Sequence, residues 1–256
     1  MIRSIAIMIF AAAWIWTAAA EELPKADAIL DKYVEVTGGK VAYKNIHSVT
    51  TTGTMEFVGK GIKATLTSYK AEPANSYNII DIEGVGKFES GTNGGVAWDR
   101  NPLQGPRIKE GEEKAAALRD ANVNAAWREL FKKAETAGSE TIGDQLCYKV
   151  VLTPNEGRPE TRYYNNKTNL LVRVTKTVKS PMGDIPAEIN VSDYKKEGDI
   201  LLPHKLQQKG LGQEYVVVLE KIEQNAEIPK GRFDLPDDIK ALAEKSKAGG
   251  KTEPGK

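Results

Sequence analysis

The chain has 256 residues and a mass of 28.0 kDa, with 40% hydrophobic and 28% charged side chains, a balance that excludes a disordered chain and a polytopic membrane protein. Its 36 Lys and Arg meet 35 Asp and Glu, so charge makes no case for a nucleic-acid partner. A single cysteine, Cys147, excludes an internal disulfide framework and a thiolate metal cluster.

Residues 1–20 read as a secretory signal peptide. Arg3 gives the basic start, Ile5 to Trp16 the apolar stretch, and Ala18-Ala19-Ala20 the small-residue cleavage site before Glu21-Glu22. An apolar stretch of about twelve residues is short of the roughly 20 needed to cross a bilayer. No later run approaches that length, so the mature chain is expected to lack a transmembrane span. Its 35 basic and 35 acidic side chains balance once Arg3 is removed.

Pro24 opens a helix that Gly38-Gly39 closes, with Ile29, Leu30, Tyr33 and Thr37 on one face. From Val49 the period becomes two. Val49, Thr51, Gly53, Met55 and Phe57 face one way, while Thr50, Thr52, Thr54 and Glu56 face the other. Val58-Gly59-Lys60-Gly61 turns the chain, and Ile62, Ala64 and Leu66 then alternate with Lys63, Thr65 and Thr67 in an antiparallel partner strand. Further strands are predicted at 77–82, 86–90 and 96–99, separated by Glu83-Gly84 and Asn93-Gly94-Gly95 turns.

The pattern then breaks. Residues 112–137 are rich in Ala, Glu, Lys and Arg, and Trp127, Leu130, Phe131 and Ala134 share a helical face, which predicts one or two helices. Strands resume at 146–152, 158–164, 170–178, 185–191, 200–209 and 214–222. The run from Tyr215 to Leu219 is apolar on both faces and is predicted to be covered on both. Residues 241–256 show no apolar periodicity and are predicted to be a mobile tail.

About ten to twelve short strands in one meander predict a single domain over residues 21–240, mainly β with α. Its expected form is an unclosed antiparallel half-barrel with helices packed in the concavity as a lid. The side chains predicted to line a cavity are Met55, Phe57, Ile62, Leu66, Ile189, Val191 and Leu219, with Trp127, Leu130 and Phe131 as the lid. Trp98 reads either as a pocket wall or as a plug. The same alternation also suits an ordinary filled core.

Chemistry is sparse. His47 and His204 lie far apart in sequence and neither belongs to a zinc-binding run. Gly84-Val85-Gly86 lacks the third glycine of a dinucleotide fingerprint, and Cys147 has no nearby histidine to activate it. The expectation is a non-enzymatic protein with no metal and no cofactor. A hydrolase would need a polar cluster, for which Glu72, Asp99 and His204 are the residues to test.

Three segments carry a family likeness. The run Tyr69-Lys70-Ala71-Glu72-Pro73-Ala74-Asn75-Ser76-Tyr77, the run from Ser90 through Gly94-Gly95-Val96-Ala97-Trp98 to Pro102, and the closing Phe233-Asp234-Leu235-Pro236 occur in an order that resembles the periplasmic outer-membrane lipoprotein carriers, the lipoprotein-sorting, LolA-like superfamily. The resemblance covers nearly the whole mature chain. It implies an unclosed barrel with a helical lid over an apolar cavity, in the periplasm of a Gram-negative bacterium. It also implies a lipid or lipidated protein as cargo, a membrane-protein partner for loading or unloading, and no cofactor.

The family tends to place an arginine, which ties the lid, directly before the strand-ending proline; this chain has Glu72 there. A carboxylate cannot supply the donors of a guanidinium fork. Either the lid is tied elsewhere or the cargo differs. Enclosure of an acyl chain is worth about 0.8 kcal/mol per CH₂, on the order of 12 kcal/mol for sixteen carbons. The second reading is a sensor or scaffold module, whose concavity recognises a lipidated or protein partner.

Overall fold

The computed structural model describes residues 22–124, 127–181, 183–210 and 212–249; the expected signal peptide and residues 250–256 lie outside them. The strands are β1 (Ser48–Phe57), β2 (Lys63–Ala71), β3 (Asn75–Ile82), β4 (Gly86–Asn93), β5 (Val96–Asn101), β6 (Gly105–Lys109), β7 (Phe131–Ile142), β8 (Gln145–Pro154), β9 (Glu160–Asn165), β10 (Leu171–Ser180), β11 (Gly183–Glu197), β12 (Ile200–Gly210) and β13 (Gln213–Gln224). The helices are α1 (Ala26–Val36), α2 (Gly39–Lys44), α3 (Gly111–Asp120), α4 (Trp127–Leu130) and α5 (Asp237–Gly249).

All thirteen strands join one antiparallel sheet in the order β6-β5-β4-β3-β2-β1-β13-β12-β11-β10-β9-β8-β7. Two hairpin meanders meet where β1 pairs with β13, leaving β6 and β7 as open edges. The sheet is therefore an unclosed half-barrel. Consecutive strands β6 and β7 lie at opposite edges, about 58 Å apart if the sheet were flat. Yet α3, a ten-residue helix about 15 Å long, packs against both β5 and β10. Only a strongly curled sheet allows one short helix to touch both arms.

Register identifies the concave face. Val150, Arg162, Val174, Ile189, Gln208, Tyr215 and Phe57 are direct cross-strand partners from β8 to β1, so their side chains share a face. On that face Ala26, Ile29 and Leu30 of α1 pack with Phe131, Val150, Leu152 and Tyr164. This is a filled core. The face spacing read at Ile29 and Leu30 is the one that α1 buries.

Three sequence expectations change. Phe131 opens an edge strand and does not continue a helix, so the 112–137 segment holds α3, α4 and the start of β7. Register shifts at Phe131/Lys133 and Thr136/Gly138 break the two-residue period there, and an edge strand with Lys and Glu outward reads as helix by composition. The predicted tail is helical through Gly249, because Ile239 and Ala243, one turn apart, are buried. The outer face of β13 is not covered, since Val218 is 38% exposed. Strand β6 adds a short hairpin partner whose Pro106 is tolerated at the edge.

Candidate concave ligand site

The middle strands carry a second apolar cluster, separate from the core beneath α1. Met55, Ala64 and Val217 are buried at its centre, and Phe57, Leu66, Ile80, Ile82, Leu206, Tyr215 and Leu219 pack around them half-buried. Each lies on the concave face by register: Met55 is opposite both Ala64 and Val217, and Val217 is opposite Leu206, which is opposite Val191. The result is an apolar wall running across β3, β2, β1, β13, β12 and β11. Its side chains alternate with outward Thr54, Glu56, Thr65 and Val216, the period-two pattern read from Val49 onward.

At the bend of this wall β1 needs Gly53. A β-carbon there would lie 2.2 Å from the Val218 carbonyl oxygen, beside the register shift that gives β13 an extra residue opposite Thr52/Gly53. Burial pushes the Tyr215 phenol up to about 12, so it stays neutral and serves the wall as an apolar ring with one polar tip.

Helix α3 bridges the two arms, packing on β4, β5 and β10, and is held by charge on both. None of its residues is fully buried, so packing alone does not fix it. On the β5–β6 side, Arg107 forks onto two carboxylates: Nε and Nη2 donate to Asp99 at 3.0 and 2.7 Å, while Nη1 and Nη2 donate to Glu113 at 2.7 and 2.9 Å. The hydrogen bond to Glu113, with that to Asp99, raises the Arg107 pKa above the usual arginine value despite partial desolvation. Lys70 of β2 donates to the Asp120 carbonyl at 2.7 Å. Across the concavity, Lys176 of β10 lies 3.5 Å from the Asp120 carboxylate, Arg158 lies 3.2 Å from Glu112, and Arg119 lies 4.0 Å from buried Glu160. Glu160 also accepts from Arg162, whose guanidinium stacks over Phe131 at 5.2 Å.

This arrangement answers the Glu72 departure. Glu72 accepts from the His47 imidazole, Nδ1 at 2.8 Å, outside the concavity, and Lys70, two residues earlier, ties the helix. An ammonium suits the C-terminal carbonyls of a helix, where the dipole is negative.

The predicted site residues fall in four places. Met55, Phe57, Leu66, Ile189, Val191 and Leu219 share the concave wall. Trp127, Leu130 and Phe131 join the filled core beside α1 and do not cover that wall. Trp127 and Glu72 line a separate groove of about 450 Å³ between α1, α2 and α4, with Arg128 stacked 4.2 Å over the indole. Ile62, at the β1–β2 turn, is 38% exposed.

Trp98 is on the outer face. It pairs across from Gly91, where a β-carbon would meet its ring at 2.9 Å, and its ring centroid lies 6.0 Å from that of Tyr77. There it acts as a plug beneath the C-terminal segment. Arg232 stacks over Tyr69 and Tyr77, Asn93 donates to the Phe233 carbonyl at 2.8 Å, and Arg100 bridges Glu89 and Asp238. The Phe-x-x-Pro segment thus fastens α5 to the outside of the β2–β6 arm. Sequence reasoning missed α3's ion pairs, because Lys70, Asp99, Arg107 and Glu113 read singly as solvated charge.

Among the described residues no group of three or more His, Cys, Asp or Glu is placed to hold a metal ion, and no helix is long and apolar enough to cross a membrane.

The architecture is an open antiparallel half-barrel with a charge-held helix bridging its two arms and an apolar concave wall. No protein-family model matches the chain, and no curated protein matches its sequence. Solved structures do match. A LolA superfamily protein from Nitrosomonas europaea superposes with a TM-score of 0.56 at 13% identity, over 83% of this chain and 99% of that one. A DUF1329 family protein from Desulfovibrio piger gives 0.55 at 15% identity, over 82% and 97%. A domain of the outer membrane lipoprotein-sorting type from Vibrio parahaemolyticus gives 0.51 at 11% identity, over 81% and 95%. The chain shares the fold of these three structures, the fold that the sequence resemblance implied.

Proposed function

We propose that this protein is an exported, periplasmic carrier that holds an acyl chain or a comparable apolar ligand against the concave wall and serves lipid transport or outer-membrane lipoprotein sorting. It needs neither a cofactor nor covalent chemistry for this. The observation that carries the reading is the wall itself. Six neighbouring strands present one continuous apolar surface inward, and most of its side chains remain half-buried although α3 bridges the two arms that flank them. An ordinary core at this position would be filled, as the one beneath α1 is. Six concave residues picked out by alternation belong to this wall, and they are the proposed ligand contacts: Met55, Phe57, Leu66, Ile189, Val191 and Leu219.

The test is titration of the exported chain with a fluorescent long-chain fatty acid, alongside Leu66→Glu. A carboxylate at Leu66 costs a docked chain far more than it costs a half-buried wall position. Saturation at one probe per chain, weakened at least about tenfold in a Leu66→Glu protein with an unchanged far-ultraviolet spectrum, supports the carrier. Absence of probe binding, with tight capture of one membrane protein, moves the reading to a sensor or scaffold.

A further inference from the structure

We infer that the concave site selects an uncharged, hydrogen-bonding headgroup, that of an acylglycerol, and docks it on a polar row next to the apolar wall. The inference rests on the carrier reading and specifies its ligand. One pleat repeat from Gly53, Leu66, Ile80 and Phe88, the same face of the β1–β6 arm carries Thr51, Ser68, Asn78 and Ser90 as direct cross-strand partners. A repeat of two residues is about 7 Å, the scale of a glyceryl group. Apolar and polar rows therefore lie side by side on one inward surface, in the order in which a chain meets its headgroup.

The row is orientated and has donors to spare. Ser68 Oγ donates to Asn78 Oδ1 at 2.6 Å, and Asn78 Nδ2 donates to Ser90 Oγ at 3.5 Å. This leaves the second Asn78 amide hydrogen, the Ser90 hydroxyl hydrogen and the Thr51 hydroxyl without a partner among the described residues. All of these side chains are half-buried, so each keeps part of its surface accessible. An unmade hydrogen bond at such a position is costly, so ester or hydroxyl oxygens are favoured there over a methylene.

Charge rejects the anionic alternative. The row continues across Ser90 to Asp99 and Arg107, but Arg107 is spent on Asp99 and Glu113, and Lys109 lies 3.4 Å from Asp99. Two cations and two carboxylates cancel, and no fork is left for a phosphate or a carboxylate. Lys70 and Lys176 are likewise engaged at Asp120.

The experiment compares three ligands with one palmitoyl chain: 1-monopalmitoylglycerol, palmitate and palmitoyl-lysophosphatidylglycerol. Each is titrated by calorimetry against the wild-type exported chain, Asn78→Leu, Ser90→Ala and the near-isosteric Thr51→Val. The expected result is monopalmitoylglycerol binding at least about tenfold tighter than the lysophospholipid, with each variant losing about three- to tenfold for the glycerol ester and nothing for palmitate. Equal affinity for the neutral and anionic ligands, or a preference that survives all three variants, overturns the headgroup assignment and leaves the carrier intact. Failure of all three ligands to bind overturns the carrier reading and, with it, this inference. Thr51→Val keeps the test decisive if Asn78→Leu does not fold.

Discussion

Lys70 Nζ donates to the main-chain carbonyl of Asp120 at 2.7 Å, so the last turn of α3 is capped by a lysine from the β-strand that carries Leu66. Desolvation lowers the Lys70 pKa below the usual 10.5, against the opposing pull of Asp120. The bond thus costs desolvation while it holds the helix. Lys70→Met keeps the stem and removes the donor. Amides of α3 are expected to exchange about tenfold faster in this variant, roughly the value of one charge-assisted hydrogen bond to a carbonyl, while those of β8 and β9 are unchanged. The sign with pH follows from the lowered pKa. The unfolded chain holds the Lys70 proton more tightly, so the wild type gains stability relative to Lys70→Met as pH rises toward 10.5. Parallel denaturation curves at pH 7 and pH 10 read this directly.

Acid is expected to loosen the C-terminal fastening. Burial pushes the Glu89 carboxyl up, but hydrogen bonds from Arg100 and Tyr77 outweigh it and hold Glu89 below its usual 4.5. Burial, with the neighbouring Glu89, raises the Tyr77 phenol to about 12. A depressed carboxyl contributes stability above pH 4.5 that fades as pH falls through its folded value. Glu89→Gln is therefore expected to flatten the stability profile below pH 4.5, with the difference from wild type largest near neutrality. Unchanged profiles would remove Glu89 from the fastening of α5.

Core and turn should respond differently to truncation. Leu30 is 2% and Phe131 5% exposed, with Val150, Leu152 and Tyr164 around them. Leu30→Ala and Phe131→Ala are expected to cost about 2–5 and 3–5 kcal/mol in urea denaturation. Ile62→Ala, at an exposed turn, should stay within about 0.5 kcal/mol.

Two glycines are fixed by their neighbours. A β-carbon at Gly53 meets the Val218 carbonyl at 2.2 Å, and one at Gly91 meets the Ser76 carbonyl at 2.6 Å as well as the Trp98 ring. In each case backbone must move. Gly53→Ala and Gly91→Ala are expected to lose on the order of 2 kcal/mol or more, whereas Gly59→Ala meets no neighbour and should lose only the cost of its left-handed backbone at φ +73°, about 1 kcal/mol. A midpoint for Gly53→Ala within error of wild type would show that β1 and β13 do not approach as described.

The strands were legible wherever alternation was undisturbed. From Val49 to Leu66, and again from Leu170 to Val191, one wet and one dry face sufficed to place the strands, although the same alternation put Ile62, which is 38% exposed at the β1–β2 turn, among the inward residues. Strand β7 was hidden because two register shifts and an Ala/Glu/Lys composition imitate a helix; pairing with β8 overrides that propensity. Trp98 could be placed on neither face by alternation, since Val96, Ala97 and Trp98 are all apolar, and only the register with Gly91 assigns it outward. Helix α5 escaped notice because its buried contact is one pair, Ile239 and Ala243, in an otherwise polar segment. The α3 ties were illegible for another reason. Lys70, Arg107 and Lys176 are far apart in sequence, and only curling of the sheet brings them to one helix.

The most direct test is native mass spectrometry of the exported chain, isolated from a periplasm without harsh detergent and then mixed with a palmitoyl amphiphile. A carrier with this concave wall is predicted to retain or take up one acyl-bearing molecule per chain and to lose it in Leu66→Glu. A bare protein mass that stays unchanged after amphiphile is added would contradict the carrier and show that the concave wall is closed to ligand.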